Sequence, residues 1–407
     1  MIRDGKVERT KIKDLASIAT IPLTMTLANS MLIPVLPAMQ KALRITAFQS
    51  SLLITSYAFI AILFIPIAGY LSDRVGRKKV ILPGLLIVAA SGMLAGWASV
   101  FLAKPYAVIM ASRLVQGLGA SACFPVVLPL VGDLFKQEED VSNGLGIVET
   151  ANTFGKVLSP ILGSALALWA WHIPFWSIPV FSVISFVLVA FWVKAPKDRK
   201  PAVKFGAFLK SVIQLFRQEG RWLWAVYAAG GINMYVLFGG LFYLSEKLEK
   251  SGVDGIAKGG LVAIPLAGLC TAAWAVGKKI GDSKPVMKWV GFAGLAIATG
   301  CLAYAAIAGA ASNVAAILVL FAASAGLGAA LPCLDALLTE GIDKEQRGTV
   351  TSFYSSIRFL GVALGPPLAA LLIGGSGQAL FWTNAGCCLA ACLIVLFAIK
   401  PSKTKQA

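Results

Sequence analysis

The stretch between the second and third long apolar runs of the sequence reads Gly69-Tyr70-Leu71-Ser72-Asp73-Arg74-Val75-Gly76-Arg77-Lys78-Lys79. It combines four basic residues with one acid and two glycines. Long apolar runs precede and follow it, so the charged residues lie where the chain leaves and re-enters an apolar environment. The same alternation of long apolar runs with short charged breaks continues along the whole chain.

The composition is that of a polytopic membrane protein. Of the 407 residues, 58% are hydrophobic and 14% are charged, and the mean hydropathy is +0.80. Soluble globular proteins do not reach these values over such a length. A helix needs about 20 apolar residues to cross a hydrocarbon core of about 30 Å. Twelve runs of this length are predicted as spans: 15–39, 49–71, 80–101, 106–130, 143–167, 173–193, 222–245, 259–277, 287–309, 313–338, 350–373 and 377–399. The runs are apolar on all sides, which excludes the alternating strands of a membrane barrel.

The distribution of Lys and Arg predicts the orientation of the spans. With a cytoplasmic N-terminus, 27 basic residues fall in or beside cytoplasmic segments, 6 in outer loops and 3 within spans. Basic loops remain on the cytoplasmic side, so both termini are expected there, in the cytoplasmic (inner) membrane. The net charge of +17 therefore reflects topology and not a nucleic-acid partner. No small-residue cleavage site follows the first apolar run, so that helix is expected to be retained.

Two short repeats divide the chain into related halves. Gly117-Leu118-Gly119-Ala120 recurs 209 residues later as Gly326-Leu327-Gly328-Ala329, and the motif of Gly155 and Pro160 recurs 206 residues later at Gly361 and Pro366. A basic, amphipathic break separates the sixth and seventh spans and is predicted to lie along the membrane surface. The predicted fold is all-α, with two pseudo-symmetric six-helix bundles. Its parts are a cytoplasmic segment 1–14, a bundle 15–193, the linker 194–221, a bundle 222–399 and a tail 400–407.

The stretch 69–79 resembles the loop signature of the major facilitator superfamily at every defining position. These positions are Gly69, Asp73, Arg74, Gly76, Arg77 and Lys78. The glycines permit a tight turn, and Asp73 suits the positive N-terminus of a neighbouring helix. The resemblance implies a contact between the halves that stabilises the outward-facing state. Anchoring by the positive-inside rule is the alternative, and it explains the cations but not Asp73 or the glycine spacing.

The fourth span contains Arg113 and Gln116 in a run similar to the second signature of proton-coupled members of that superfamily. An Arg inside a span is costly unless it faces protein or a wet cavity. The resemblance implies that Arg113 is an electrostatic partner in proton coupling. A structural contact of Arg113 with a backbone carbonyl or with another helix is the alternative.

The fifth span resembles the antiporter signature of the drug:proton antiporter group. The matching positions are Gly146, Gly155, Ser159, Pro160 and Gly163, with serine at 159 and 164 where the signature has glycine. Small residues let helices approach closely and proline permits a kink, so the resemblance implies a seam on which the halves rock. General glycine-rich helix packing is the alternative.

Glu149, Asn152 and Lys156 form one stripe on the fifth span, because steps of three and four residues return to the same helix face. Two charges on one stripe are expensive in lipid, so the stripe is expected to point inward. Many drug:proton antiporters have an acid in the first span, whereas this chain has Asn29 there. Glu149 is therefore the first candidate for the proton carrier, followed by Asp335 and Asp73. The alternative is a static ion pair of Glu149 with Lys156 or Arg358.

Further polar and aromatic residues within spans are candidate substrate contacts. The complete predicted set is Asn29, Gln116, Asn152, Lys156, Tyr227, Asn233, Tyr235, Phe238 and Arg358. The aromatic residues of the seventh span suit stacking on an amphipathic ligand, with core or lipid packing as the alternative. Asp335 lies close enough to a loop to be interfacial, and His172 is expected at the outer edge of the sixth span. The seven cysteines form no metal or disulfide pattern and are expected as small hydrophobic residues.

The resemblance implies a proton-coupled efflux antiporter that moves amphipathic or drug-like small molecules by alternating access, through a central cavity lined by spans 1, 4, 5, 7, 10 and 11. The proton gradient is the expected energy source, without a cofactor or metal, and a monomer in the lipid bilayer is expected. A lipid, glycolipid or anionic-metabolite exporter is an alternative, because three cations and two acids lie within spans. A membrane-embedded enzyme or a non-transporting sensor are further alternatives, but the sequence offers no nucleophile with a base and no metal cluster.

Overall fold

The computed structural model describes residues 2–135, 138–194, 220–279, 284–310, 312–342, 347–373 and 377–399. Within these ranges the chain is helical and contains no strand. Twelve long helices follow the twelve predicted spans. They are α1 (Ile2–Ser30), α2 (Ala47–Val75), α3 (Arg77–Phe101), α4 (Tyr106–Leu134), α5 (Glu138–Ala167), α6 (Ile173–Trp192), α7 (Gly220–Lys250), α8 (Gly255–Lys279), α9 (Lys284–Ala308), α10 (Asn313–Gly341), α11 (Arg347–Leu372) and α12 (Gln378–Ala398). The predicted all-α architecture with twelve helices is therefore confirmed.

Eleven of the described helices are both long and apolar enough to cross a membrane. The twelfth, α5, is 30 residues long and also exceeds the length needed for a span. Its apolar character is interrupted by Glu149, Asn152 and Lys156, the stripe noted in the sequence. The helix that departs from the composition of its neighbours is thus the one with the most polar candidate residues.

The first helix differs from its predicted bounds. It begins at Ile2 and not near residue 15, and it ends at Ser30. A 3₁₀ turn, Ile33–Val35, and a short helix, Leu36–Leu43, then complete the expected span. Pro34 in that turn has no N–H to donate to a helical hydrogen bond, which favours a break at this point. Residues 195–219 of the predicted linker and the predicted tail 400–407 lie outside the described residues.

The chain divides into two compact units. The first comprises Met1–Val203 with Asp254–Gly260, and the second comprises Lys204–Val253 with Leu261–Ala407. In the first unit, α3 packs against α4 and α6, and α1 packs against α4, α5 and α6. In the second unit, α9 packs against α10 and α12, and α7 packs against α10, α11 and α12. The same pairing pattern therefore recurs six helices later.

A matched pair of lysines extends this repeat to side chains. The amino group of Lys78 on α3 donates to the carbonyls of Ala190 and Val193, at 2.7 and 2.8 Å, at the C-terminal end of α6. The amino group of Lys288 on α9 donates to the carbonyl of Leu396, at 2.7 Å, near the end of α12. The last carbonyls of a helix lack helical donors, and cations are favoured there. Each lysine thus joins the first residues of one helix to the last turn of another.

The structure corrects the register of one sequence repeat. The matching run Gly155–Pro160 on α5 packs against α1, and its counterpart on α11 packs against α7, as expected from the 206-residue offset. In the other repeat, Gly119 of α4 lies against Gly84 of α3, whereas it is Gly326, and not Gly328, that lies against α9. The two Gly-Leu-Gly runs are therefore displaced by two residues relative to the packing. A short pattern of small residues fits either register, so the sequence match alone was misleading there.

Candidate functional site

Arg113 lies in the interior of the first unit with 0% of its surface exposed. Its Nε donates to the carbonyl of Leu53 on α2 at 2.9 Å. One terminal nitrogen donates to the carbonyl of Ala28 on α1 at 3.1 Å and to the side-chain oxygen of Gln116. The other donates to Oδ1 of Asn29 at 2.7 Å. One guanidinium therefore connects three helices.

The ring of Tyr57 completes these surroundings, with its centroid 4.7 Å from the guanidinium carbon of Arg113. We call Arg113, Asn29, Gln116 and Tyr57 the Arg113 cluster. Among the described side chains, no carboxylate forms an ion pair with Arg113, and the charge is held by neutral acceptors and a ring face. The side-chain nitrogen of Gln116 is buried and has no hydrogen-bond partner in the described part of the chain. The cluster is thus a buried positive charge with an unused donor beside it.

A second polar chain lies between α1 and α5. The hydroxyl of Thr26 donates to Oδ1 of Asn152 at 2.7 Å. The amide nitrogen of Asn152 then donates to both carboxylate oxygens of Glu149, at 3.2 and 3.3 Å. Asn152 is buried at 4% exposure, whereas Glu149 is exposed. The expected inward orientation of the stripe therefore applies to Asn152, while Glu149 lies at its accessible end.

Lys156 completes the predicted stripe one turn further along α5 and is half-buried. Within the described residues, no ion pair joins Lys156 to Glu149. The suggested static pair between these two residues is therefore not formed here. Asn152, and not Lys156, is the partner of the Glu149 carboxylate.

The small residues of α5 differ in how closely they approach α1. A Cβ at Gly163 would overlap the carbonyl oxygen of Met31, and a Cβ at Gly155 would lie 3.1 Å from the Leu23 side chain. A Cβ at Gly146 would meet nothing within 4 Å. Ser159 is fully buried, and its hydroxyl donates to the carbonyl of Gly155. The hydroxyl is therefore satisfied within its own helix, so a serine is tolerated where the signature has glycine.

The loop motif forms a local ionic cluster at the junction of α2 and α3. Gly76 has a φ of +112°, which favours glycine, and it separates the two helices. Arg77 forms ion pairs with Asp73 and, at 3.1 Å, with Asp133 at the end of α4. It also donates to the hydroxyl of Ser72 at 2.7 Å. Asp73 at the end of α2 thus has its partner, Arg77, at the start of α3. Asp133 was not predicted from the sequence, and its ion pair connects α4 to the same arginine.

In the second unit, the predicted charges Asp335 and Arg358 lie together. Their side chains are 3.7 Å apart and partly exposed. The guanidinium of Arg358 lies 5.6 Å from the ring centroid of Tyr354, which in turn lies 5.7 Å from the ring of Tyr227. The hydroxyl of Tyr227 donates to the carbonyl of Val350 at 2.7 Å. A cation, an acid and two aromatic rings therefore form one cluster on α7, α10 and α11.

The remaining candidates of α7 lie in the interior of the second unit. Tyr227, Asn233 and Tyr235 are buried, and Phe238 is half-buried. The amide nitrogen of Asn233 donates to the carbonyl of Leu327 at 3.3 Å. The burial of Tyr227 fits the packing alternative for these aromatic residues, and its contact with substrate stays a prediction. His172 is half-buried at the start of α6.

Asp133 and Tyr354 are the main residues that the sequence analysis did not select. Asp133 follows an apolar run in the sequence and resembles an ordinary loop acid. Asp133 and Arg77 are 56 residues apart in the sequence, and this separation does not predict a contact. Tyr354 is one turn before Arg358 on the same helix, and this spacing was an available signal for the cation–ring contact. Within the described residues, no group of three or more His, Cys, Asp or Glu side chains is arranged to hold a metal ion.

Comparisons with known proteins agree with these features. Residues 18–366 and 289–407 match the family model described as the Major Facilitator Superfamily. The chain is 51% identical over 397 residues to the "Bacillibactin exporter" of Bacillus subtilis (strain 168), a match that covers 97% of this chain and 98% of that protein. It is 30% identical over 149 residues to "Multidrug resistance protein 2" of the same strain, covering 37% of this chain and 36% of that protein.

Two solved structures have the same fold at low sequence identity. The human organic anion transporter TETRAN is 20% identical with a TM-score of 0.73, over 95% of this chain and 99% of that one. A D-xylose-proton symporter is 14% identical with a TM-score of 0.76, over 96% and 98%. The family match also excludes the enzyme alternative, since its members are transporters. The chain belongs to the Major Facilitator Superfamily and is a multi-pass membrane transporter.

Proposed function

We propose that this transporter exports bacillibactin, or a closely related molecule, out of the cytoplasm in exchange for protons. The observation that supports this most directly is the 51% identity to the B. subtilis bacillibactin exporter, because it extends over 98% of that protein. Among the alternatives drawn from the sequence, a metabolite exporter is thus favoured over a general drug pump. We further propose that the chain acts as a monomer in the bacterial cytoplasmic membrane, with both termini in the cytoplasm.

The charges of the two units suit a substrate with anionic or strongly polar groups. Arg113 has no carboxylate partner among the described residues, and Lys156 on α5 is half-buried. Asn29 and Gln116 add hydrogen-bonding groups beside Arg113. In the second unit, Arg358 is partly exposed and Phe238 is half-buried, and the buried Asn233 and Tyr235 are polar candidates on the same helix as Phe238. An oxygen-rich anion gains charge-assisted hydrogen bonds from such cations.

Proton coupling is assigned to Glu149, with Asp335 and Asp73 as further candidates. Glu149 is exposed and bonded to a buried amide, so its charge acts directly on a group between two helices. Asp335 forms an ion pair with Arg358, and its protonation would remove that attraction. In either case the proton changes the cost of burying a charge, and this difference biases the inward-facing and outward-facing states. Substrate leaves the cytoplasm or inner leaflet as protons enter.

The test uses purified protein in proteoliposomes with an acidic interior. Bacillibactin is added outside, and its uptake is measured by mass spectrometry as protons leave. We expect uptake several-fold above that of vesicles without a pH gradient, and loss of the gradient-driven part with a protonophore. Glu149→Gln should lose gradient-driven accumulation, whereas Asp140→Asn, an acid-to-amide change on the same helix, should retain it. Equal uptake with and without the gradient would exclude proton coupling, and no uptake would exclude the substrate.

Drug efflux is the second candidate function. It is favoured by the 149-residue match to Multidrug resistance protein 2 and by a 28% identical match of the same length to the "Quinolone resistance protein NorA" of Staphylococcus aureus. The same vesicles, tested with lipophilic cations, quinolones and glycolipids, separate the possibilities. Transport of these compounds without bacillibactin transport would favour drug or lipid export. Competition by bacillibactin alone would favour the first proposal.

A further inference from the structure

We propose that Asn152 and Thr26 are positioning residues through which the charge of Glu149 acts on α1 and on the Arg113 cluster. This inference rests on the proposed proton coupling, because it assigns the contacts by which a proton on Glu149 would change the protein. The supporting observation is two sets of side-chain contacts within the first unit that are joined through helix α1. Together they extend from an exposed carboxylate to a fully buried guanidinium.

The orientation of the Asn152 amide depends on the charge of Glu149. An ionised carboxylate only accepts hydrogen bonds, so the amide nitrogen of Asn152 faces it and the amide oxygen faces the hydroxyl of Thr26. Bonds to an ionised group are about twice as strong as neutral ones. A protonated carboxyl is also a donor, and it pairs equally well with the amide oxygen. Protonation therefore removes the reason for the observed orientation.

A rotated Asn152 amide would reverse the direction of the hydrogen bond between Thr26 and Asn152. The amide nitrogen would then face the hydroxyl, which would have to accept a bond and donate elsewhere. In a helix, a threonine hydroxyl can donate to a carbonyl of its own preceding turn. The inter-helix bond from α1 to α5 would then change its direction and its strength. The hydroxyl of Ser159, which lies 3.4 Å from the carbonyl of Thr26, adds to the same junction.

Helix α1 connects this junction to the Arg113 cluster. Thr26 and Asn29 are three residues apart, which places them on adjacent turns of one face, about 4.5 Å apart along the axis. Asn29 and the carbonyl of Ala28 both accept bonds from Arg113. The helix ends immediately afterwards, at Ser30, and continues as a 3₁₀ turn. Such a break often acts as a hinge, and here it is held from one side by α5 and from another by α4.

Other charges near Glu149 do not replace this connection. The described charged side chains on α1 and α4, which pack against α5, are Lys13, Asp14, Arg113 and Asp133. The first turns of α8 also meet α5, where Gly259 lies against the carbonyl of Pro160, and they add the buried Lys258. Asp140 and Lys156 lie on α5 itself. No ion pair joins any of these to Glu149 within the described residues. Its bond to Asn152 is thus the polar contact by which its charge reaches the protein interior.

The test is a double-mutant cycle on purified protein in detergent, with the apparent unfolding temperature as the measurement. Thr26 and Glu149 share Asn152 as a partner but do not bond to each other, so independent residues would give additive effects of Thr26→Val and Glu149→Gln. We expect the effect of Thr26→Val to fall by half or more when Glu149 is Gln. This non-additivity should disappear in an Asn152→Leu background. Thr26→Ser retains the hydroxyl and should behave as the unmodified protein.

The matched control is Thr150→Val, which removes a hydroxyl from α5 that bonds only to the carbonyl of Gly146 in the described structure. It should be additive with Glu149→Gln. In proteoliposomes, Asn152→Leu should flatten the pH profile of bacillibactin uptake, and Thr26→Val should do the same while bacillibactin counterflow without a gradient is retained. Additivity of Thr26→Val and Glu149→Gln, or an unchanged pH profile in Asn152→Leu, would overturn the inference. Non-additivity in a protein that does not move bacillibactin would refute the proposed substrate and support the connection.

Discussion

The three glycines of the α5 signature should respond differently to alanine, although they belong to one motif. At Gly163 the new Cβ would overlap the carbonyl oxygen of Met31, a backbone atom that cannot rotate away. At Gly155 it would lie 3.1 Å from the end of the Leu23 side chain, which can adjust. At Gly146 it would meet nothing within 4 Å. The order of sensitivity should therefore be Gly163, Gly155, Gly146.

The sign of each effect follows from two opposing terms. Alanine is favoured over glycine within a helix by about 0.5–1 kcal/mol. Overpacking costs about 1–3 kcal/mol, and rigid backbone obstacles belong at the upper end of that range. Gly163→Ala should therefore destabilise the protein by roughly 1–2 kcal/mol, since the helix term offsets part of the overlap. Gly146→Ala should be neutral or stabilising by up to about 1 kcal/mol.

Purified variants in one detergent would be compared by apparent unfolding temperature, with bacillibactin uptake measured in parallel. Gly163→Ala should lower the unfolding temperature, and Gly146→Ala should leave it unchanged or raise it. If Gly146→Ala is as damaging as Gly163→Ala, the close approach of α5 to α1 does not determine the sensitivity of the motif. A stable Gly146→Ala that loses transport would instead assign Gly146 to the transport cycle and not to packing in the first unit.

Three further predictions concern the charged contacts. Lys78→Met and Lys288→Met should each lower the apparent unfolding temperature, by the equivalent of about 1–2 kcal/mol, because the last carbonyls of α6 and α12 lose a charged donor. Lys79 is an exposed neighbour of Lys78, and the control variant Lys79→Met should leave the unfolding temperature unchanged. Arg113→Lys should reduce uptake at least tenfold with protein still inserted in the membrane, because a single ammonium cannot reach acceptors on three helices; near-normal uptake would show that charge alone suffices. Asp133→Asn should weaken the contact between Asp133 at the end of α4 and Arg77 at the α2–α3 junction. Proteolysis at that junction should then be faster, and an unchanged rate of proteolysis would contradict this expectation.

The sequence predicted the features that depend on chain length and composition. A run of about 20 apolar residues has few alternatives to a spanning helix, so the twelve helices and the all-α class followed directly. The predicted stripe on α5 also followed, because helical periodicity places Glu149, Asn152 and Lys156 on one face whatever surrounds them. The position of the break in α1 was less accessible, since a run with proline still satisfies the apolar criterion.

Contacts between helices could not be read in the same way. The partner of a side chain depends on how each helix rotates about its axis, and a small-residue pattern fits more than one rotation. The register of Gly119 and Gly326 shows this, because a convincing sequence match was displaced by two residues. The ion pair of Arg77 with Asp133 and the pairing of Asp335 with Arg358 depend on the same rotations. The sequence supplied these residues as candidates or loop acids, but their partners required the packed structure.

The repeat separates residues that support the fold from residues that differ in function. Lys78 and Lys288 each donate to carbonyls at the end of another helix, and Gly155 and Gly361 each let two helices approach closely. Equivalent contacts of this kind in both units are expected of structural positions. Asn152 and Arg358 are 206 residues apart, the offset of that glycine pair, and thus occupy equivalent positions on α5 and α11. One is a buried amide that bonds to α1, and the other is a cation that pairs with Asp335 on α10.

This difference has a direct test, in which Arg358→Asn places the residue type of the first unit in the second. A partly exposed ion pair at 3.7 Å contributes at most about 1 kcal/mol, so the unfolding temperature should change little. Uptake of bacillibactin should fall sharply, because the proposed substrate-binding cation Arg358 is lost. Lys288→Met should show the opposite result, with a lower unfolding temperature and uptake per folded molecule unchanged. If Arg358→Asn transports normally, the difference between Asn152 and Arg358 has no role in transport, and Arg358 is a structural residue like Lys288.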